Sequence, residues 1–204
     1  MTEAIDGFDA APLLVSDRGR LRILTLNRPD RLNALTPELH HLLQDAVLAA
    51  AADPAVGAGM ALALACNLRI MAGDSFMRTA YARIGLSGDL GISYFLMQLV
   101  GPAKAHELML LDEKVLAEGC VEIGLANRIY STPEEALELV GRLAQGPAIA
   151  FRHMKQNLAL AQTASLAEVI DREADATARC VRTHDVREAA LAFREKRMPK
   201  FEGR

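Results

Sequence analysis

One acidic side chain lies among glycines in a segment that precedes an apolar stretch. Asp89 stands in Gly85–Gly91 (GLSGDLG), directly before residues 92–100. Glycine lets a backbone approach a substrate closely, and a carboxylate held beside a substrate can take up a proton and return it. An aspartate in front of a helix can instead cap its free N–H groups. The residues therefore leave two roles open for Asp89, a proton carrier and a helix cap.

The remaining side chains of chemical interest lack the partners that nucleophilic or metal chemistry needs. Ser87 does not stand in a G-x-S-x-G frame, and none of the five histidines has H-E-x-x-H spacing. The three cysteines include no C-x-x-C pair, so we predict neither a zinc site nor a disulfide framework. We expect small buried hydrophobic residues at Cys66, Cys120 and Cys180.

The composition suits one globular domain. The chain has 204 residues, of which 51% are hydrophobic and 24% charged, and its formal net charge is −3. This charge gives no electrostatic reason to expect nucleic acid as a partner. The longest apolar run, Ala55–Cys66, is too short for a membrane span, and Met1–Asp9 lacks the apolar core of a signal peptide. We therefore expect a cytoplasmic protein that does not bind a membrane.

The elements that position Asp89 are predicted to be strands and helices in alternation. Leu21–Asn27 (LRILTLN) and Asn67–Ala72 (NLRIMA) are predicted strands. A helix is predicted after Thr36, which can cap its first turn. Further helices are predicted at Ile92–Val100 and from Pro102 onward.

Capping-box spacing predicts helices in the back half of the chain. Each signal is a threonine, serine or aspartate followed three residues later by a glutamate: Thr132 with Glu135, Ser165 with Glu168, and Asp185 with Glu188. The pattern therefore indicates a mixed α/β front half followed by a helical tail.

Four segments together resemble a known superfamily. They are NRPDRLNAL (Asn27–Leu35), GAGMALALACNLRIMA (Gly57–Ala72), ARIGLSGDLGISYFLMQLVG (Ala82–Gly101) and REAALAFREKRMPKF (Arg187–Phe201). In their order and type they resemble the crotonase (enoyl-CoA hydratase/isomerase) superfamily. The resemblance covers about residues 12–203.

This resemblance implies an α/β fold in which a crotonase-like spiral of β-β-α turns precedes a helical C-terminal region. We expect residues 1–145 to form the α/β core and residues 146–204 to form the helical region, through which family members pack as trimers. The implied assembly is a homotrimer or a dimer of trimers.

The resemblance also implies an acyl-CoA thioester as substrate. Two backbone N–H groups hold the thioester oxygen as negative charge develops on it. One of them falls in Gly57–Gly59 and is placed at Ala58, with Gly59 beside it as a substrate contact. Close helix packing is the alternative role for this run of small residues. Several members of the superfamily carry a functional aspartate in the loop that holds Asp89.

Hydratases of this superfamily use two glutamates, and this chain has neither. The matching positions are Ala61 and either Ala80 or Tyr81. Alanine cannot transfer a proton, and a tyrosine with an ordinary pKa of about 10 is a poor base. Asp89 is therefore expected to move the proton alone. Tyr81 is expected either to make a polar contact near the acyl chain or to serve a structural role.

Coenzyme A would enter as part of the substrate, and no separate cofactor or metal is expected. Arg31, Leu32 and Ala34 match the family's loop that borders the nucleotide and pantetheine. Phe193 and Lys196 match the C-terminal region that approaches coenzyme A, often from a neighbouring subunit. The alternatives are a solvated surface charge for the two basic residues and packing between helices for Phe193.

The sequence departs from the family between residues 56 and 57. Other members have further strands there, with a first oxyanion motif that is usually alanine-glycine-glycine-aspartate. Either the sequence as given omits this segment or the chain has lost it. A loss would leave backbone groups of the neighbouring strands unpaired, so omission is the favoured explanation.

Three functions follow from these residues. The leading hypothesis is an enzyme that moves a double bond in an unsaturated acyl-CoA, with Asp89 as the base. The second is hydration by Asp89 together with an acid from the missing segment. The third is an acyl-CoA-binding subunit with little activity of its own.

Overall fold

The structure, a computed structural model, describes residues 11, 13–18, 21–27 and 58–204. Several predictions from the sequence lie outside these residues. They concern the helix after Thr36 and the coenzyme A contacts at Arg31, Leu32 and Ala34.

The sequence is continuous at the point where the family resemblance placed a further segment. Val56 is followed directly by Gly57 in the 204-residue sequence. The interpretation that a segment has been omitted stays a prediction. The alanine-glycine-glycine-aspartate motif does not occur at this place in the chain.

In the described residues strands and helices are interspersed up to Tyr130, and only helices follow. In chain order the elements are β1 (Leu13–Arg18), β2 (Leu21–Leu26), α1 (Ala58–Ala65), β3 (Ile70–Ala72), β4 (Phe76–Met77), a 3-10 turn (Ala82–Ile84), α2 (Ile92–Leu111), β5 (Val115–Leu116), α3 (Ala117–Glu122), β6 (Arg128–Tyr130), α4 (Pro133–Ala144), α5 (Ala148–Leu160), α6 (Leu166–Val181) and α7 (His184–Glu195). The α/β front half and the helical tail predicted from the sequence are confirmed.

The described strands pair two by two. β1 and β2 are antiparallel, β3 and β6 are parallel, and β4 and β5 are antiparallel. In the first pair Leu13 and Leu24 are buried. The strand predicted at Leu21–Asn27 is confirmed as β2.

The strand predicted at Asn67–Ala72 is shorter than expected because the Arg69 N–H donates to a side chain and not to a strand carbonyl, although the Arg69 carbonyl accepts from the Asn127 N–H at 2.8 Å. The Arg69 N–H donates to Asn127 Oδ1 at 2.8 Å, and its Nε donates to the Leu125 carbonyl at 2.7 Å. Strand pairing therefore begins only at Ile70.

A break divides α2 where two helices had been predicted. Gly101 has φ 73° and ψ 171°, which are not helical values, and Pro102 follows it. Proline suits the first turn of a helix because its missing N–H has no partner there anyway. The predicted stop at Val100 and the new start at Pro102 are confirmed. Asp112 ends the second part with a left-handed φ of 54°.

One buried cluster joins the elements of the front half. Burial of a large aliphatic side chain contributes about 1.5–3 kcal/mol, so this cluster fixes α1 and the segment around Tyr81 against α2. Its fully or nearly fully buried members are Met60, Ala61, Leu64, Met71, Met77, Tyr81, Ile92, Leu96, Ala105, Leu108, Ala117, Cys120, Leu125 and Ala126.

The chain contains two compact units. The first ends at Leu137, and the second is Glu138–Arg204. The division into a core of residues 1–145 and a trimerisation region of residues 146–204 stays a prediction.

The caps predicted at Thr132 and Ser165 are confirmed. Thr132 Oγ1 accepts a hydrogen bond from the Glu135 N–H at 3.3 Å. Ser165 and Glu168 form a complete capping box, in which each side chain accepts from the other residue's N–H. Both helices therefore begin where local chemistry indicates.

A helix starts beside Asp185 as predicted, at His184, but Asp185 is not its cap. Thr183 precedes α7, and its Oγ1 accepts from the Val186 N–H at 3.3 Å. Asp185 is buried in the first turn, where its carboxylate accepts from the N–H groups of Glu202 and Gly203 at 2.8 and 3.0 Å. Asp185 thus anchors the last residues of the chain, a role that no local pattern indicates.

Candidate active site

Tyr81 and Asp89 form a hydrogen bond in front of α2. Tyr81 Oη donates to Asp89 Oδ1 at 2.5 Å. The tyrosine is only 4% exposed, whereas Asp89 is exposed. The structure thus brings two of the predicted site residues together and leaves the carboxylate at the surface, where a substrate can reach it.

Asp89 does not cap α2 with its side chain. Gly91 is the residue at the N-cap, and no side-chain cap bond forms there. The main-chain carbonyl of Asp89, not its carboxylate, accepts from the Ile92 N–H at 3.0 Å. The capping alternative is therefore wrong.

Gly88 is required by the loop that carries Asp89. Its φ is 104°, which L-residues rarely adopt, and an added Cβ would lie 2.9 Å from Ile92 Cγ2 and 3.1 Å from Met109 Cε. The loop therefore lies directly on α2. This close approach places the residue after Gly88 beside the Tyr81 hydroxyl.

The Tyr81 hydroxyl acts as a donor. Burial raises the pKa of Tyr81 well above its usual value, and the hydrogen bond to the negatively charged Asp89 raises it further. The phenol therefore keeps its proton at neutral pH and cannot serve as a base. The raised pKa agrees with the expectation that Tyr81 is a poor base.

Ala58 and Gly59 lie in the first turn of α1. The first N–H groups of a helix have no partner inside it, and the helix dipole favours negative charge at this end. Gly59 is buried, and the next two residues belong to the same buried cluster as Tyr81. The start of α1 and the Tyr81 segment therefore share one packed region.

Ala61 and Ala80, which match the positions of the hydratase glutamates, offer no acid. Ala61 is fully buried in the cluster of the front half. Ala80 has a positive φ of 60°, and its N–H donates to Asp112 Oδ1 at 2.6 Å. Ala80 therefore contributes to the site only through its backbone, which has an unusual conformation and a hydrogen bond to Asp112.

Asp112 is a buried acid that the sequence analysis missed. It is 2% exposed and follows two leucines at the end of α2, which gives no sign of its partners. Arg78 donates to its main-chain carbonyl from Nε at 2.8 Å and from Nη2 at 2.6 Å. Arg83 Nε lies 2.9 Å from Oδ2, and the Thr79 hydroxyl lies 3.2 Å from Oδ1.

These contacts keep Asp112 charged. Burial alone would raise the pKa of the carboxyl, because it disfavours the ionised form. The Ala80 N–H, the charge of Arg78 and the Thr79 hydroxyl outweigh burial and lower the pKa below its usual value. Asp112 is therefore a carboxylate with fixed partners.

Phe193 and Lys196 lie one turn apart at the end of α7, in the second unit. Phe193 is 87% exposed, so packing between helices, the alternative for this residue, does not occur in the described structure. Lys196 is also exposed and ends α7 with a left-handed φ of 53°. Both side chains are accessible, and their contact with coenzyme A stays a prediction.

Hydrogen bonds join the chain after Lys196 to Glu188 in α7. Arg197 donates through Nη1 and Nη2 to the two carboxylate oxygens of Glu188, at 2.6 and 3.0 Å. Glu188 Oε1 also accepts from the Lys200 N–H at 2.8 Å. These bonds lower the pKa of Glu188 to about 2. The ion pair and the anchor at Asp185 together fix the end of the chain.

The described residues show neither a metal cluster nor a membrane helix. Within residues 11–27 and 58–204, apart from the few undescribed positions, no group of three metal-ligating side chains occurs. In the same part of the chain no helix is long and apolar enough to cross a bilayer. The three cysteines are free; Cys120 is buried as expected, and Cys66 and Cys180 are partly buried.

A model of the enoyl-CoA hydratase/isomerase family matches residues 43–204. A protein described as a probable enoyl-CoA hydratase of Mycobacterium bovis is 34% identical over 178 residues, which cover 86% of this chain and 70% of that protein. A crotonyl-CoA hydratase of Syntrophomonas wolfei is 30% identical over 163 residues, 78% of this chain and 62% of that protein.

A solved structure has a closely similar fold. An enoyl-CoA hydratase subunit of Geobacillus kaustophilus superposes with a TM-score of 0.85 at 25% sequence identity, over 95% of this chain and 99% of that one. The α/β crotonase fold with a helical C-terminal region, expected from the sequence, is thereby confirmed.

Proposed function

The chain belongs to the enoyl-CoA hydratase/isomerase family, and from this premise we propose that it is an enzyme that moves a double bond in an unsaturated acyl-CoA thioester. Asp89 is the proton carrier, and Tyr81 holds its carboxylate. The observation that carries this proposal is the 2.5 Å hydrogen bond between Tyr81 Oη and Asp89 Oδ1.

The proposed reaction moves one proton and leaves the substrate's composition unchanged. The Asp89 carboxylate removes a proton from the carbon between the thioester carbonyl and the double bond. The electrons left behind are shared with the thioester oxygen as an enolate. The protonated carboxyl then returns the proton to the far carbon of the former double bond, so the new double bond lies beside the carbonyl. One acid is sufficient because it acts first as base and then as acid.

The backbone at the start of α1 is proposed to stabilise the enolate oxygen. We assign this role to the Ala58 N–H, with Gly59 as a close contact of the substrate. A preorganised oxyanion donor typically contributes about 2.7–4 kcal/mol to catalysis. The buried cluster that contains Met60, Ala61 and Tyr81 supports the assignment, because the start of this helix and the segment that leads to Asp89 both contribute side chains to it.

Hydration is the second candidate function. The names of the relatives in Mycobacterium and Syntrophomonas favour it. The alanines at positions 61 and 80 disfavour it, since activation of water by one carboxylate and protonation of the substrate carbon by another would need an acid at each position. A hydratase built on this chain would have to use Asp89 together with an acid elsewhere.

The third candidate function is an acyl-CoA-binding subunit with little activity. The continuous sequence at Val56–Gly57 favours it, because the family's first oxyanion motif is missing there. The hydrogen-bonded Asp89 favours the enzyme instead, since a subunit that only binds acyl-CoA needs no carboxylate held in this way.

The remaining parts of the proposal concern binding and assembly. Coenzyme A would be held as part of the substrate by Arg31, Leu32 and Ala34, and by Phe193 and Lys196. The subunits would form a homotrimer or a dimer of trimers, in the cytoplasm and without nucleic acid or membrane as partner. No separate cofactor is proposed.

One assay separates the three functions. The protein is mixed with a 3-enoyl-CoA, and in a second cuvette with a 2-enoyl-CoA, both in water enriched in oxygen-18. Growth of the conjugated enoyl absorbance from the 3-enoyl-CoA, without added oxygen-18, supports isomerisation. Loss of absorbance from the 2-enoyl-CoA with solvent oxygen in the product identifies a hydratase. Binding without turnover in either cuvette would contradict both enzyme functions.

A further inference from the structure

The carboxylate of Asp112 accepts a hydrogen bond from the backbone before Tyr81 and forms an ion pair with a side chain after it. On one side its Oδ1 accepts from the Ala80 N–H at 2.6 Å. On the other side its Oδ2 lies 2.9 Å from Arg83 Nε, in the turn that follows Tyr81. A single buried carboxylate therefore holds the start of the segment that presents the Tyr81 hydroxyl to Asp89, and it attracts the Arg83 side chain just after that segment.

The backbone at Ala80 needs such a partner. Its φ is 60°, in the left-handed region that alanine avoids because its Cβ crowds the following carbonyl. In this conformation the N–H of Ala80 gains a charge-assisted hydrogen bond to Asp112. Without that bond Ala80 would return to negative φ, and the direction of the chain into Tyr81 would change.

Asp112 is itself fixed in place. Arg78 donates two hydrogen bonds, from Nε and Nη2, to the main-chain carbonyl of Asp112. Its Nε also lies 3.3 Å from Asp112 Oδ1. Asp112 has φ 54° at the end of α2, so the helix end sets the direction of the carboxylate. The position of Tyr81 is thus linked to the end of α2, more than thirty residues further along the chain.

We infer that Asp112 is a positioning residue of the site, whose carboxylate holds the Ala80 backbone directly before Tyr81 and thereby fixes the Tyr81 hydroxyl against Asp89. The inference rests on the proposed function, since it gives Asp112 a part in the proton transfer assigned to Asp89. Asp112 acts through Tyr81, and no contact of Asp112 with substrate is implied.

The test compares three variants of the full chain. Asp112→Gly removes the carboxylate and accepts the left-handed backbone without strain. Asp112→Asn restores an oxygen that can accept from the Ala80 N–H. Glu113→Gln is the matched control, because it makes the same carboxylate-to-amide change one residue further on, at an exposed position. Each variant is assayed for kcat and KM, and the Tyr81 hydroxyl is titrated by NMR with ¹³Cζ-labelled tyrosine, its signal identified by Tyr81→Phe.

We expect Asp112→Gly to lower kcat roughly 10–100-fold, the usual cost of a small misplacement, with KM changed less than about twofold. The Tyr81 signal should titrate at lower pH than in the wild type, because the hydroxyl leaves its buried place beside Asp89. Asp112→Asn should recover most of kcat and of the titration shift. Glu113→Gln should match the wild type in kcat and in the titration of Tyr81.

Two results would overturn the inference. One is an Asp112→Gly variant with unchanged kcat and unchanged Tyr81 titration. The other is an Asp112→Asn variant as impaired as Asp112→Gly, which would mean that the charge itself, and not the held backbone, matters. If the glycine variant does not fold, Asp112→Ser replaces it, since its hydroxyl stops short of Ala80. Absence of turnover in the wild type would contradict the proposed function, while the Tyr81 titration would still decide the positioning role.

Discussion

The phenolic oxygen of Tyr81 lies 2.5 Å from Oδ1 of Asp89, although one residue is buried and the other is exposed. The bond therefore joins the packed interior to the surface. A buried donor fixes the direction of a carboxylate that solvent would otherwise leave mobile. A side chain held in one orientation is better placed for proton transfer than one that samples many.

Tyr81→Phe should slow turnover while it leaves the core intact. The ring still fills its place in the buried cluster, and only the bond to the Asp89 carboxylate is lost. Hydrogen bonds to charged groups contribute about 1.5–3 kcal/mol, so kcat should fall roughly 10–100-fold. Tyr130→Phe in β6 is the matched control and should leave kcat unchanged. Equal values of kcat for the wild type and Tyr81→Phe would contradict a role of Tyr81 in holding the Asp89 carboxylate.

Stability in acid should depend on Asp112. Its pKa is lowered below the ordinary value of 3.8 in the folded protein, so the folded state binds this proton more weakly than the unfolded state. The stabilisation is complete above pH 3.8 and is lost as the pH falls through the lowered folded-state pKa. Urea unfolding at a series of acid pH values should show a flatter pH dependence for Asp112→Asn than for the wild type. Parallel curves would contradict the assignment.

Gly88→Ala should destabilise the loop that carries Asp89. The added methyl would meet Ile92 and Met109 at 2.9 and 3.1 Å in a backbone conformation with φ 104°, which should cost about 1–3 kcal/mol. Gly141→Ala in α4 makes the same change in open space, and there alanine should stabilise the helix by about 0.5–1 kcal/mol. Thermal unfolding measures both, and equal shifts of Tm in the two variants would contradict the geometry.

Lys196→Gln should weaken coenzyme A binding without an effect on chemistry. If its ammonium group meets the phosphates, KM should rise on the order of fivefold, about 1 kcal/mol, with kcat unchanged. Phe193→Ala should also raise KM. It should leave Tm unaltered, because the ring is 87% exposed. Lys155→Gln in α5 serves as the control for loss of a surface charge. Unchanged KM in both site variants would place coenzyme A elsewhere.

Local chemistry in the sequence predicted the elements that depend on neighbouring residues. The caps at Thr132 and Ser165 and the stop before Pro102 involve partners within four positions, so spacing alone identified them. Asp89 was also found from its glycine neighbours. Its hydrogen bond with Tyr81 was not predicted, because it depends on how the intervening eight residues fold back.

The parts that the sequence did not reveal depend on distant partners. Asp112 meets Ala80 across 32 positions of the chain, and Asp185 meets Glu202 across 17. Nothing in the residues next to either aspartate indicates these contacts, and Asp185 was wrongly read as a cap for that reason. The Arg69 side chain likewise donates to the Leu125 carbonyl, 56 positions away.

The most direct test of the account is the rate of double-bond movement in Asp89→Asn. Asparagine keeps the size of the side chain and can still accept from Tyr81, but it cannot carry a proton. We expect kcat for a 3-enoyl-CoA to fall at least about 100-fold while acyl-CoA binding stays nearly intact. The control Asp74→Asn changes an exposed acid and should match the wild type. An Asp89→Asn enzyme that turns over at the wild-type rate would contradict the central claim that Asp89 carries the proton.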